Sequence, residues 1–274
     1  MLNKEEKNRF HELIDLYTGH WENYRNFDQW KKRRINQEIY KEKFVDVFEK
    51  EFSFFNKDRK ILDLGSGMGG FLVALKLRGY DNIYGLEFDP NYCEITKLRA
   101  KKYDLEIPVK NCCAEKSSYS SDNFDIIIST DVIEHVQDPK ECFKEIKRML
   151  KSDGYCYLTN PNRYGFKDAH YKIYFINYFP KKIGQFFADL LTDRQGYVNK
   201  DNQKLTEMHY FTYWKIKKIL RNIGFNFKDI KYERLLNSEK DYRLLKKIRL
   251  FNLFYFFYIR FYCCNFEWLI KKND

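Results

Sequence analysis

The seven cysteines never fall in a C-x-x-C arrangement; they stand singly or as the adjacent pairs Cys112-Cys113 and Cys263-Cys264. That spacing excludes a recognisable zinc ligand set or disulfide framework, so no metal is expected and a reducing cytoplasm fits. The opening residues, Met1-Leu2-Asn3-Lys4-Glu5-Glu6-Lys7, contain no apolar stretch, and no secretory leader is expected. Internal repeats and low-complexity linkers are also missing, which leaves one large domain or a core with additions. Charge and aromatic rings are abundant instead. Fifty Lys and Arg face 39 Asp and Glu, a net charge of +11, which suits an anionic partner and equally a lysine-rich solvated surface. Aromatics make up 19% of the residues, and rings at that density must be buried or used.

Hydrophobic periodicity divides the chain. Residues 1–57 read as a helical, polar, aromatic-rich N-terminal extension, with Trp21, Tyr24, Phe27 and Trp30 at helical spacing. From residue 58 to 161, short apolar runs alternate with amphipathic stretches. Strands are expected at 61–64, 82–87, 107–110, 124–128 and 155–159, the last entered by a turn at Asp153-Gly154. Helices are expected to begin after Asp89-Pro90 and Asp138-Pro139, which combine an N-cap with a proline at the first helical position. Five alternations predict a doubly wound α/β fold with a Rossmann-like parallel sheet. Residues 162–208 read as two aromatic amphipathic helices separated by Pro180. The core resumes over 209–237 with a helix stopped by Gly224 and a strand near 227–232. Residues 238–274 read as an aromatic, basic C-terminal helix with a seam of Leu250, Phe254, Phe257, Phe261, Cys264 and Trp268.

The segment Asp63-Leu64-Gly65-Ser66-Gly67-Met68-Gly69-Gly70 lies between a buried strand and a helix, where glycines permit a tight turn and close ligand approach. Its spacing satisfies both G-x-G-x-x-G and G-x-G-x-G, so the loop alone leaves a dinucleotide oxidoreductase open. Glu87 ends the second strand 17 residues after Gly70, where an acid can hold ribose hydroxyls. With Gly85-Leu86-Glu87-Phe88-Asp89-Pro90, Ala114-Glu115, Phe124-Asp125-Ile126-Ile127 and Asp131-Val132-Ile133-Glu134-His135-Val136 added in order, the sequence resembles class I S-adenosylmethionine (SAM)-dependent methyltransferases. The resemblance is greatest to the subset that contains quinone-biosynthesis O-methyltransferases. It is close over 60–161 and loose over 209–232, and it implies that 162–208 is an inserted helical acceptor lid.

The resemblance implies SAM as cofactor, with Asp63, Gly65, Ser66, Gly67 and Gly69 facing its methionine part and Glu87 its ribose. Cys113, Ala114 and Glu115 would border the adenine, Phe88 would also contact the cofactor, and Thr130 and Asp131 would close the pocket. The usual Leu-Pro-Phe after Ala-Glu is replaced by Lys116-Ser117-Ser118-Tyr119, a departure in the adenine wall. His135, at the cofactor edge, is the leading candidate base, with Glu134 beside it and His209 near the site; each also has a structural reading as a helix-start or packing residue. Asn160 and Asn162 flank Pro161 and are further candidates for the acceptor side.

Methyl transfer to a small-molecule or lipid-linked hydroxyl acceptor is therefore expected, a quinone precursor or glycan intermediate in class. Lys246, Lys247, Arg249, Lys271 and Lys272 flank the tail, which suggests contact with an anionic membrane surface through 246–272, or a homodimer interface. Arg260 near its middle argues against a membrane span. Nucleic acid is a less favoured partner: amino-methylating enzymes of that kind carry Asn/Asp-Pro-Pro-aromatic where this chain has Ser129-Thr130-Asp131-Val132. RNA base or ribose methylation and a non-catalytic SAM-binding protein stay open.

Overall fold

A computed structural model of the chain describes residues 1–19, 22, 26–194, 203–238 and 250–273. Its centre is a seven-stranded sheet in the order β3-β2-β1-β4-β5-β7-β6. The strands are β1 (Ile61–Leu64), β2 (Ile83–Glu87), β3 (Val109–Asn111), β4 (Phe124–Ser129), β5 (Leu150–Pro161), β6 (Phe225–Asp229) and β7 (Asn265–Lys272). β1 to β5 pair in parallel, and β7 runs antiparallel to both its neighbours. β1 and β4 are buried along their whole length, as continuous apolar runs in a doubly covered sheet should be.

The strand period of two sorts side chains into two cores. Leu62, Leu64, Ile127, Leu158 and Trp268 face one layer; Ile61, Ile126, Ile128, Tyr157 and Leu269 face the other. α4 (Gly70–Leu77), α5 (Pro90–Lys101) and α6 (Pro139–Met149) make the crossovers. The expected caps form: Asp89 accepts from the Asn91 N–H at 2.8 Å and Asp138 from the Lys140 N–H at 2.8 Å. The N-terminal residues form α1 (Lys4–Thr18), α2 (Phe27–Ile35) and α3 (Gln37–Glu51). Phe44 and Phe48 of α3 pack on Phe71 of α4, with ring centroids 5.2 and 6.1 Å apart. Trp21 and Tyr24 lie outside the described residues.

Three expectations are corrected. Asp153-Gly154 is not a turn before a strand; β5 begins at Leu150, and its register with β4 shifts between Phe124 and Ile126. In the lid, 171–179 is not a helix but an irregular segment with a 3₁₀ turn at Ile176–Tyr178. Asp168 Oδ1 accepts the His170 and Tyr171 N–H groups at 2.8 and 2.7 Å, and Lys172 and Phe175 take positive φ, so the chain bends although its rings recur at helical spacing. α7 (Lys181–Arg194) does form.

The third correction concerns the tail, which is not one helix. After α8 (Tyr213–Ile223), capped by Gly224 at φ +87°, the chain makes β6, α9 (Ile230–Asn237) and then α10 (Phe251–Phe261). α10 buries Phe251, Tyr255 and Ile259, not the expected seam; Leu250, Phe257 and Phe261 are exposed. Beyond it β7 enters the sheet, with Trp268 fully buried and its indole N–H donating to Asn160 Oδ1 at 3.1 Å. Lys246, Lys247 and Arg249 lie outside the described residues. Among the described residues no helix is long and apolar enough to cross a membrane.

Candidate functional site

β1 brings Asp63 to the carboxyl edge of the sheet, and residues 65–69 turn the chain into α4. Gly65, Gly67 and Gly69 have φ of +75°, +54° and +73°, a region that disfavours any side chain. Two of them are also tightly enclosed: a Cβ on Gly65 would sit 2.3 Å from Val132 Cγ2, and one on Gly69 2.3 Å from Thr96 Cγ2. A Cβ on Gly67 would meet nothing within 4 Å. The loop is fastened to β2 by the Gly65 and Ser66 N–H groups, which donate to the Leu86 carbonyl at 2.8 and 3.1 Å.

Asp63 is 5% exposed. Burial pushes its carboxyl up to about 7; the Lys41 charge opposes this and the Glu87 charge adds to it. Glu87 is pushed up by burial too, partly offset by backbone donors. Its Oε2 accepts the Gly67 N–H at 2.7 Å and its Oε1 the Asp89 N–H at 2.9 Å. The acid at the end of β2 thus organises the glycine loop and the start of α5 together.

Asp63, Gly65, Ser66, Gly67, Thr130 and Asp131 line one cavity of about 160 Å³. Ser66 Oγ is buried without a hydrogen-bond partner and lies toward Gly85 of β2, 3.1 Å from where a Cβ on that glycine would stand. Asp131, at φ +56°, is pinned by Thr159, whose hydroxyl accepts its N–H and donates to its Oδ1, both at 3.0 Å. The remaining wall includes Gln37, Lys41 and Phe44 of α3, which the sequence did not single out. Gln37 Oε1 accepts the Gly70 N–H at 3.2 Å, at the first turn of α4. The three share one helix face, but nothing local says that this face meets the loop.

Six of the expected cofactor residues, Gly69, Glu87, Phe88, Cys113, Ala114 and Glu115, do not line that cavity. The Phe88 side is 72% exposed. Ala114 is buried in the core, Glu115 Oε1 accepts the Gln137 N–H at 2.6 Å, and Cys113 is half-buried. Gly69 shapes the turn from behind.

Just past Asp131, Glu134 is fully buried, and burial, reinforced by the Asp131 charge, holds its carboxyl well above the usual range. His135 is half-buried, which lowers its basicity. His209 approaches through its backbone, donating its N–H to the Glu134 carbonyl at 2.8 Å. Two residues join them unannounced, His170 of the lid and Tyr210 just beyond it. His170 Nε2 lies 3.1 Å from His135 Nε2, and His170 Nδ1 lies 2.8 Å from the Tyr210 hydroxyl. Burial and the neighbouring imidazole depress His170 to about 4. Asn160 and Asn162 are both buried and serve the fold: Asn162 donates to the Ile259 and Cys263 carbonyls at 2.8 Å each.

Sheet order, glycine turn and the acid ending β2 define a Rossmann-like nucleoside-binding α/β protein. Residues 62–158 match the model of a family described as a methyltransferase domain. The ubiquinone biosynthesis O-methyltransferase of Pelagibacter ubique is 27% identical over 165 residues, 59% of this chain and 66% of the relative. The protein of that name from Bartonella quintana is 35% identical over 104 residues, 38% of this chain and 42% of the relative. The chain thus spans less than two thirds of either curated relative. In structure, a SAM-dependent methyltransferase from Mesorhizobium loti superposes with a TM-score of 0.52 at 16% identity, over 80% of this chain and 94% of the other. That likeness shows the fold. Residues 62–158 are similar to a methyltransferase domain, and the fold around them is that of SAM-dependent methyltransferases.

Proposed function

We propose that the chain moves a methyl group from SAM to a hydroxyl of a small-molecule or lipid-linked acceptor, such as a quinone precursor or a glycan intermediate. The observation that carries this reading is the cavity at the end of β1, lined by buried Asp63 and the left-handed Gly65 and Gly67. A cationic ligand there would add to the Lys41 charge in favouring the ionised Asp63 carboxylate. Asp63 with Gly65 to Gly67 would hold the methionine end of SAM, and the Lys41 ammonium is available to its carboxylate. Glu87 would take the ribose, Phe88 and Cys113 would border the adenine, and Thr130 and Asp131 would close the site.

When bound, the cofactor supplies a sulfonium methyl for in-line displacement with a neutral leaving group. The protein's part is to position the acceptor, since alignment of reactants contributes about 7–11 kcal/mol. An acceptor hydroxyl must also lose its proton. Burial keeps His135 neutral near pH 7, so its ring can accept that proton. Glu134 and His209 border the same place. Transfer of labelled methyl from SAM to phenolic and catecholic acceptors tests this. Labelling is expected, with His135→Ala lowering kcat about 10²–10⁴-fold while SAM affinity holds. Labelling of RNA in place of ring hydroxyls would contradict the reading, and steeply salt-dependent RNA binding would replace it with the nucleic-acid one.

The lipid-linked form of the proposal is supported by α10. Leu253, Phe257 and Phe261 are exposed on it, and the chain is strongly basic. Contact with the anionic inner face of a membrane follows from that pairing. Co-sedimentation with phosphatidylglycerol vesicles is expected for the intact protein and is expected to fail for Phe257→Ser/Phe261→Ser. No binding by the intact protein overturns the membrane contact. A dimer that the double variant dissolves would assign the face to a second copy.

A further inference from the structure

A second cavity, of about 170 Å³, lies where the end of β5 meets the first turn of α8 and the last turns of α10. It shares no lining residue with the cofactor cavity at the end of β1. Its walls are the rings of Tyr164, Tyr213, Trp214 and Phe256, together with Ile259 and Arg260. We propose that it binds a single-ring aromatic carboxylate, with the ring among these side chains and the carboxylate on Arg260. No sequence motif announces the site, because three separate stretches of the chain supply its walls.

The fold fixes the base of the cavity and leaves its mouth open. Asn162 is buried, and its amide donates to the Ile259 and Cys263 carbonyls at 2.8 Å each, while its Oδ1 accepts the Tyr164 N–H at 3.0 Å. One side chain thus ties the end of β5 to α10 and sets the turn that carries Tyr164. Both of its N–H donors are taken, so it holds the wall and does not hold the ligand. Tyr213 stacks on fully buried Trp268, with ring centroids 5.3 Å apart, and meets Phe266 edge-on at 5.6 Å. At the mouth, Trp214 is 57% exposed and Arg260 is exposed beside it. Tryptophan is on average a highly buried residue, and this one has a face that a ligand ring would cover.

Charge decides what kind of ring. A cage of aromatic faces ordinarily suits a cation. Here each ring already has one against it. The Arg163 guanidinium lies 5.6 Å from the Tyr164 centroid, Lys217 Nζ 4.9 Å from Tyr213 and 5.3 Å from Trp214, and the Arg260 guanidinium 6.0 Å from Phe256. No lining residue is acidic. Asp229, whose charge bears on Tyr213 and Lys217, stays behind the wall and accepts from the Tyr255 hydroxyl at 2.6 Å. A cationic ligand would be repelled from this wall and an anionic one drawn to it.

Arg260 is the cation placed to receive the anion. Arg163 is held by the lid, donating to the Asn177 and Phe179 carbonyls. Arg260 lines the cavity and makes ring contacts, to Phe256 and to Phe261 at 5.5 Å, and no carboxylate pairs with it among the described residues. A guanidinium presents a planar fork of donors that matches a carboxylate with two parallel hydrogen bonds. Size sets the rest. An apolar cavity of roughly 150 Å³ takes one benzene molecule. The space here therefore suits one ring with its carboxylate at the mouth, and falls short of the about 300–1,000 Å³ of sites for larger ligands. None of its walls belongs to the residues assigned to methyl transfer, so the site stands or falls separately from that reading.

The test titrates the full-length protein with benzoate, with acetate and with benzylamine, by calorimetry, each with and without saturating SAM. Saturable binding of benzoate is expected, unchanged by SAM, with at least tenfold weaker binding of acetate, which lacks the ring, and of benzylamine, which reverses the charge. Arg260→Gln and Trp214→Ala are each expected to weaken benzoate at least tenfold with thermal melts unchanged, since both side chains are exposed. Absence of saturable benzoate binding overturns the site, as does benzylamine binding equal to that of benzoate. Benzoate affinity that is unchanged in both variants, or that SAM abolishes, puts the ring elsewhere and also overturns it. Benzoate binding lost in both variants, in protein that fails to bind SAM, supports this site and contradicts the cofactor reading alone.

Discussion

At Asp63 the protein holds a carboxyl against its preference for water. Burial raises it from 3.8 to about 7. A raised folded pKa contributes stability that is fully present below about 3.8 and is lost as pH rises through about 7. The ligand-free protein is therefore expected to melt at progressively lower temperature between pH 4 and pH 7, as far as this group governs. A bound cation favours the ionised form, so SAM should bind more weakly below pH 7 and release a proton on binding near pH 6. Calorimetry in buffers of different ionisation enthalpy reads that proton. Gly65 gives a second expectation at this scale: Gly65→Ala combines a positive φ with a contact of 2.3 Å to Val132. It should reduce SAM affinity at least tenfold while the far-ultraviolet spectrum is kept; unchanged affinity would mean that the loop does not meet the ligand.

Among the elements, α3 and α5 clamp the loop between them through Arg99. This fully buried side chain donates to the Met68 carbonyl at 2.9 Å and to the Ile35 and Arg34 carbonyls at 2.7 Å each, and pairs with buried Glu38. Removing one partner of a buried ion pair typically costs about 3–5 kcal/mol. Arg99→Met should therefore lower the denaturation midpoint strongly, and a shift equivalent to less than about 1 kcal/mol would contradict the clamp. The β1-loop-α4 unit was legible because every signal for it is local: buried strand, glycine turn, helix. The α3 wall was not, because Gln37, Lys41 and Phe44 belong to a helix with several mixed faces. His170 was hidden by a run of rings at helical spacing, which Asp168 in fact bends into turns. In the tail, aromatic residues satisfy both a helical seam and the strand alternation Phe266, Trp268, Ile270, so periodicity alone could not separate them.

Across the whole molecule, the last residues complete the sheet between β5 and β6. Truncation at Asn237 removes β7 and exposes Trp268's place in the core, so surface function at the tail has to be tested by point substitution on α10. The lid and the loop after β4 meet through Gln203, whose amide N–H donates to the His135 carbonyl at 3.0 Å, which joins the two sides of the site in one body. The place proposed for the acceptor was the least legible part, because His170 reaches it from the lid, where sequence spacing misreads the bends. The cofactor end rests on one constellation, and that is where the account is most directly tested. Calorimetric titration of the purified protein with SAM and, separately, with NADH, alongside Asp63→Ala, should show SAM binding that weakens at least about a hundredfold in the variant, and none with NADH. Binding of NADH without SAM, or full SAM affinity in Asp63→Ala, would contradict it.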